Sequence, residues 1–343
     1  MNIINRHNRL LAFLAALAII LSFGGPALAL DDGARAYWNA KEGTEVVGFQ
    51  YLNLDMDASA AMQFAPGQYI YPNSDIQARI FMANWSRHLS LFKRASSLSF
   101  FLTGGDVSAD VSAALPAEFL PPGETINTAF SQSATGFADP GVQLVVNLYG
   151  TPQMKSNVDL LNYEPGWTLD AAVMAGIPMG EYDSDKLVNM GLNRWFGRVA
   201  FPIKYHFGVF DSGHMSSLEL IPSVLFFAEN DDFLGQKMEN DPLYQLESHL
   251  THDFNIGFFG SLDALYRSGF QSKIDGVEQG DELEIGSLGY TLNYQVTRNV
   301  TIRTSFSSNV FGDDDLNTSI GRLMFVYGWN PADENIYRVQ GSH

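Results

Sequence analysis

The sequence contains no cysteine. That excludes disulfide staples and any zinc site built on thiolates, so stability has to come from packing and closure. Beyond Ala29 no apolar run approaches the roughly 18 residues a membrane-spanning helix needs, which excludes a helical membrane protein. Basic side chains are scarce: 20 Lys and Arg stand against 38 Asp and Glu, for a formal net charge of −18. A chain with that balance lacks the basic footprint nucleic-acid binding requires. No glycine loop of the P-loop type occurs. The acids gather in "AENDD" at 228–232, "EQGDELE" at 278–284 and "GDDDL" at 312–316, none with the glycine and distal glutamate of a calcium loop. They read as solvated loops rather than divalent-cation sites.

Aromatics, by contrast, are plentiful. The chain has 25 Phe, 14 Tyr and 31 Gly, a composition suited to many strands joined by tight turns. Its first residues read as a leader. Arg6 and Arg9 precede an apolar core over 10–23, and Ala27-Leu28-Ala29 supplies a small-residue cleavage site. The expected division is a signal peptide over 1–29, a barrel over 30–330 and a tail over 331–343. A retained membrane anchor is the alternative for the first segment, and its apolar run is short for that. Loss of the two leader arginines takes the charge to about −20.

Twelve candidate strands follow, near 44–54, 74–85, 96–104, 139–149, 167–178, 195–206, 217–229, 241–252, 257–267, 283–295, 299–308 and 318–329. Many approach the 9–11 residues a tilted strand needs to cross a bilayer. With the first strand starting in the periplasm, the odd connections (55–73, 105–138, 179–194, 230–240, 268–282 and 309–317) are long, acidic or Gly-rich. The even ones are mostly shorter, with 150–166 as the exception. Long outside and short inside is the outer-membrane barrel pattern.

Side-chain alternation says which residues share a face. In "TSIGRLMFVYGWN", 318–330, Leu323, Phe325, Tyr327 and Trp329 oppose Ile320, Arg322, Met324 and Gly328. In 299–308, Val300, Ile302 and Phe306 oppose Thr301, Arg303, Ser305 and Ser307. In 283–295, Leu288, Tyr290, Leu292 and Tyr294 oppose Ser287, Thr291, Asn293 and Gln295. In 74–85, Ile76, Ala78, Ile80 and Met82 oppose Gln77 and Arg79. With apolar faces to lipid and polar faces to the lumen, Arg79, Arg303 and Arg322 become candidate lumen charges. A soluble sandwich alternates in the same way, but strand length, leader and Tyr/Trp strand ends favour the barrel. "LELIPSVLFFAE", 218–229, is apolar on both faces, and Pro222 within it predicts a bulge or kink.

Catalytic constellations are thin. "SGHMSS" places His214 beside Ser212, Ser216 and Ser217, but in a stretch that reads as a turn. His249 and His252 are three apart, so a strand sends them to opposite faces and they cannot share a metal. Neither catalysis nor a cofactor is expected.

Two loops carry more. Segment 105–138 begins with a soft alternation of Val107, Ala109, Val111 and Ala113 and then stiffens around three prolines. It reads as a mobile surface loop, or as a loop folded into the mouth that lines it with Leu115, Phe119 and Leu120. Segment 177–195 contains Pro178-x-Gly180-x-Tyr182 followed by Asn189-x-Gly191-x-Asn193-Arg194-Trp195. With Asp139-Pro140-Gly141 and "DPLYQLE" at 241–247, it resembles the outer-membrane family named for the meta-cleavage pathway of phenol degradation, over about residues 40–329. The resemblance implies a barrel associated with uptake of aromatic or other hydrophobic compounds, and no catalytic residues. Barrel chains often stop at a terminal aromatic, whereas about 14 residues follow Trp329 here, so the assembly signal lies upstream or is mimicked by Tyr337.

The expectation is therefore an all-β, closed antiparallel transmembrane barrel of about twelve strands with long extracellular loops. Its partners would be outer-membrane lipid, the barrel-assembly machinery and a small hydrophobic or aromatic solute passing by diffusion. A plugged structural or surface-interaction barrel is the alternative, and a lipid-modifying barrel enzyme a more distant one. Oligomeric state is not readable.

Overall fold

The computed structural model describes residues 31–331, apart from 59–61, 66–67, 71–72, 115–126, 157, 160–162, 165, 209–213, 280 and 313–315. The expected leader over 1–29, Leu115, Phe119, Leu120 and Tyr337 lie outside the described residues.

Twelve antiparallel staves close into a barrel. They are β1 (Glu45–Ala58), β2 (Asn73–Leu91), β3 (Arg94–Ala114), β4 (Gly141–Tyr149), β5 (Trp167–Gly176), β6 (Phe196–Ala200 and Ile203–Phe207), β7 (Ser216–Phe227), β8 (Leu243–Asn255), β9 (Phe258–Gly269), β10 (Leu283–Gln295), β11 (Val300–Gly312) and β12 (Leu316–Trp329). β1 pairs with β12 from Glu45↔Trp329 to Ala58↔Leu316, so no edge is left open. No described helix is long and apolar enough to cross a membrane; the crossing is made by strands.

The outer surface explains where such a barrel can exist. Phe49, Leu144, Leu218, Phe226, Leu250, Leu262, Leu288, Leu292 and Phe325 all stand exposed. A belt of that kind is stable against hydrocarbon, not water. Aromatic pairs mark the edge where the first stave starts and the last one ends, with Trp167 stacked on Tyr205 at 4.6 Å and Tyr327 beside Trp329 at 5.4 Å. Trp195 and Tyr244 stand exposed at the other edge.

The first three staves run well past the bilayer. β2 has 19 residues and β3 has 21, about twice what a crossing needs. The upper part of β3 pairs with Asn127–Phe137, from Gly104↔Phe137 to Ala114↔Asn127. Most of the segment expected as a long loop over 105–138 is thus a hairpin extending the wall upward. Its soft alternation is real strand alternation, with Val107 and Ala109 buried on the inner face. The chain then steps out of register at Ala138–Pro140 before β4 begins.

These extensions reverse the sidedness of 74–85. Ile76, Ala78, Ile80 and Met82 are buried on the inside, and Arg79 points outward, 63% exposed and paired with Asp106 at 2.9 Å. Register fixes the side. Arg79 sits opposite Asn53, which shares its face with Tyr51 and hence with Leu323. The apolar-out rule holds only at bilayer height; above it water is outside, and the loops supply an apolar interior.

Pro222 produces no bulge in its own stave. The β7–β8 ladder runs unbroken from Ser216↔His252 to Leu225↔Leu243. The interruption falls on the neighbour, between the two parts of β6. There Phe201 N donates to Pro222 O at 3.0 Å and Asp170 N donates to Pro202 O at 2.9 Å. Neither proline can return a bond, so the missing rungs are confined to Phe201–Pro202.

Candidate functional site

The interior has two layers. The mouth is apolar. Leu52, Leu54 and Met56 of β1, Ile76, Ala78 and Ile80 of β2, and Val107 and Ala109 of β3 pack against loop residues Leu187, Val188, Met190, Phe233, Met238 and Ile274. Across the mouth, Leu225, Leu243, Phe270, Leu283 and Ile285 form a second cluster with Phe227 against it. Phe227 meets Phe270 edge-on at 4.9 Å and stacks with Phe196 at 6.4 Å.

The loop over 177–195 folds down into this mouth, and the residues singled out in it meet in space. Asp139 accepts from the backbone N–H groups of Met179 (3.1 Å), Gly180 (2.8 Å) and Leu192 (2.7 Å). Burial raises its carboxyl above the ordinary range, against the pull of those three donors. Gly180 and Gly191 touch backbone to backbone. A Cβ on Gly180 would lie 2.7 Å from Gly191 Cα, which is why neither position carries a side chain. Asn189 closes the inner turn, accepting from Asp183 N and donating to Asp183 O and Lys186 O. Asn193, in a left-handed conformation at φ 55°, donates to Asn230 Oδ1, and Asn230 donates to the Tyr182 hydroxyl. Trp195 faces outward, and Arg194 is buried beneath the loop with its guanidinium 5.1 Å from the Phe227 ring. Burial brings the Arg194 pKa down to about 10, which still leaves a cation at neutral pH. Pro178 opens the loop between β5 and this cage.

Below the mouth the lumen is polar, and residues 31–38 enter it, while Glu42–Thr44 bond to Met154, His88 and Asn330 at the lower rim. Arg198 donates to Asp32 at 2.7 Å and to Glu247 at 3.2 Å. Asp32 N and Arg35 N donate to Glu247 and Glu219, each at 2.9 Å. Arg35 also pairs with Asp253 at 2.7 Å and lies 4.1 Å from the Trp38 ring, whose indole N–H donates to Glu219. Arg303 and Arg322 both point inward to this segment: Arg303 donates to Ala34 O at 2.8 Å, and Arg322 to Asp31. Of the three expected lumen arginines, the fold brings these two together around the N-terminal segment and leaves Arg79 outside. Lys204 pairs with Asp170 at 2.7 Å nearby. Buried charges of this density are tolerable because each meets an opposite charge or a carbonyl.

Nothing in the amino-acid sequence over 31–44 separates an inserted strap from a linker, so its place in the lumen is visible only in the fold. The inward-facing Glu219, Glu247 and Arg198 of the wall are the groups that the strap's Asp32 and Arg35 meet.

His249 and His252 fall on opposite faces: His249 inside against Asp263 at 2.8 Å, His252 outside. Ser216 Oγ lies 2.8 Å from His252 Nδ1 on the outer face. That imidazole stacks with His214 at 6.4 Å and meets Phe254 edge-on at 5.3 Å; among the described residues no carboxylate bonds to it, and no group of acids and histidines could hold a metal.

A closed twelve-stranded barrel with an apolar belt, aromatic girdles and a polar lumen defines an outer-membrane β-barrel. A sequence profile of the family described as "Putative MetA-pathway of phenol degradation" matches residues 59–315, three quarters of the chain. The chain belongs to this family. No curated protein sequence matches it. An outer membrane channel from Pseudomonas putida F1 is similar in structure, with 18% identity, a TM-score of 0.64, and coverage of 88% of this chain and all of that one. A Pseudomonas aeruginosa FadL homologue (10% identity, TM-score 0.38, 84% of this chain and 90% of that one) is more distant. So is the Ralstonia pickettii toluene transporter TbuX (10% identity, TM-score 0.33, 85% and 90%). Likenesses that weak carry no weight here.

Proposed function

We propose that this barrel admits small hydrophobic or aromatic solutes across the outer membrane by passive diffusion. The observation that carries the reading is the apolar mouth over a polar, strapped lumen. Water-soluble solutes meet hydrocarbon first, whereas an apolar solute finds a favourable stopping place there. The leader over 1–29 would export the chain, and the alternating Phe325, Tyr327 and Trp329 of the last stave would be read by the barrel-assembly machinery.

The test is permeability of the refolded protein in liposomes. Entry of toluene or phenol is compared with that of a small sugar on a timescale faster than leakage through bare lipid. Faster aromatic entry with little sugar entry supports the reading, and equal gains for both make the protein a general pore. A second reading, a sealed scaffold, is favoured by the strap that fills the lumen. Under it, neither solute gains.

A further inference from the structure

We propose that the mouth holds a binding site for apolar carboxylates, in which Arg194 takes the anionic group and Phe227 with the cluster around it takes the apolar body. The proposal names a substrate class for the channel and rests on reading the barrel as a hydrophobic-solute channel.

Arg194 lacks a polar partner among the described residues. It is 4% exposed, its Nη1 is wholly shielded, and that nitrogen has no hydrogen-bond partner. Among the described residues Arg194 makes no ion pair. Every other buried arginine of the interior has an ion-pair or hydrogen-bond partner, although Arg198 Nε and Arg322 Nε are likewise unpartnered. Arg35 has Asp253, Arg198 has Asp32 and Glu247, and Arg322 has Asp31. Arg267 donates to Gln245, and Arg303 donates to Asn293 and Ala34 O. The carboxylate whose charge acts on Arg194, Asp139, already accepts from three backbone N–H groups. Its attraction is felt, but it offers the guanidinium no bond. The contact with the Phe227 ring offsets part of the desolvation and satisfies none of the planar N–H donors.

An unpaired guanidinium out of water is costly unless something pairs with it. A guanidinium fork pairs bidentately with a carboxylate or a phosphate, and the apolar surface around it favours the anion with the lighter hydration and an apolar body. Beside it lies the material for the rest of such a ligand. Phe227 packs on Leu225, Leu243, Phe270, Leu283 and Ile285, an apolar patch on the inner wall at the entrance. A charge at one end and aromatic and aliphatic surface at the other describe an amphipathic anion, such as an aromatic or medium-chain acid. A purely apolar solute would leave the charge as it is. A small inorganic anion would make no use of the aromatic surface beside the guanidinium.

The experiment is calorimetric titration of the full-length, detergent-refolded barrel with benzoate and, separately, toluene. It is run on the unaltered protein and on Arg194→Met, Arg194→Lys and Phe227→Glu, each checked for the heat-modifiable gel mobility of a folded barrel. Phe227→Glu places a carboxylate beside the guanidinium, so it should exclude benzoate even if Arg194→Met does not fold. Liposome uptake of both probes runs in parallel. The expected result is benzoate binding that falls about 10-fold or more in Arg194→Met, partly recovers in Arg194→Lys and is lost in Phe227→Glu, with toluene binding to Arg194→Met little changed. Benzoate binding indifferent to all three changes would overturn the inference, and toluene uptake would then show the channel reading still standing. Arg194-dependent benzoate binding without uptake of either probe would uphold the site and sink the channel. No benzoate binding by the unaltered protein overturns the site outright.

Discussion

At the residue scale, the family markers act as joints of one cage. Asp139, Gly180, Asn189 and Gly191 are spread from residue 139 to residue 191 and meet at the rim. Replacing Gly180 or Gly191 with alanine forces a Cβ within about 3 Å of immovable backbone. Urea unfolding in lipid vesicles should show a loss of roughly 1–3 kcal/mol. Asp139→Ala removes one acceptor from three N–H groups and should cost a similar roughly 2 kcal/mol. Alternation alone identifies which side chains share a face, and here the sequence was informative. It does not say which face is wet. Arg79 reads as a lumen charge only if 74–85 lies wholly at bilayer height, and β2 rises above it. The pairing of Asp139 with Gly180 and Leu192 spans 41 and 53 residues, and no local pattern could announce it.

Elements were more legible than their junctions. All twelve staves stand close to where period-2 patterning and aromatic ends place them, because each crossing must be long and two-faced. What patterning could not give was the use of polar segments. The strap over 31–38 has no periodicity, yet Asp31, Asp32 and Arg35 satisfy charges on β6, β7, β8 and β12. Deleting 31–37 should therefore raise single-channel conductance several-fold in planar bilayers. The barrel should still form, since the freed Glu219, Glu247, Arg198 and Arg322 would then be hydrated by the water that enters. Unchanged conductance would mean that the block lies at the apolar mouth instead.

Charge decides behaviour at the scale of the whole molecule. The net charge of −18 includes clusters in the outer loops, among them Glu229, Asp231, Asp232 and Glu239 around the mouth. An anionic solute approaching from outside is repelled before it reaches Arg194, while an uncharged aromatic feels nothing. Repulsion between exposed charges fades beyond a screening length of about 10 Å at 0.1 M salt and about 30 Å at 0.01 M. The association rate of benzoate should accordingly climb as salt rises from 10 to 100 mM, as for any steered encounter of like charges, and that of toluene should stay flat. The buried guanidinium is shielded from the same ions, so the dissociation rate of benzoate should move far less than its association rate. Stopped-flow measurements on the refolded barrel at the two salt concentrations separate these effects. A benzoate association rate that falls with salt would show that the approach path is dominated by cationic groups, against the charge distribution of the loops.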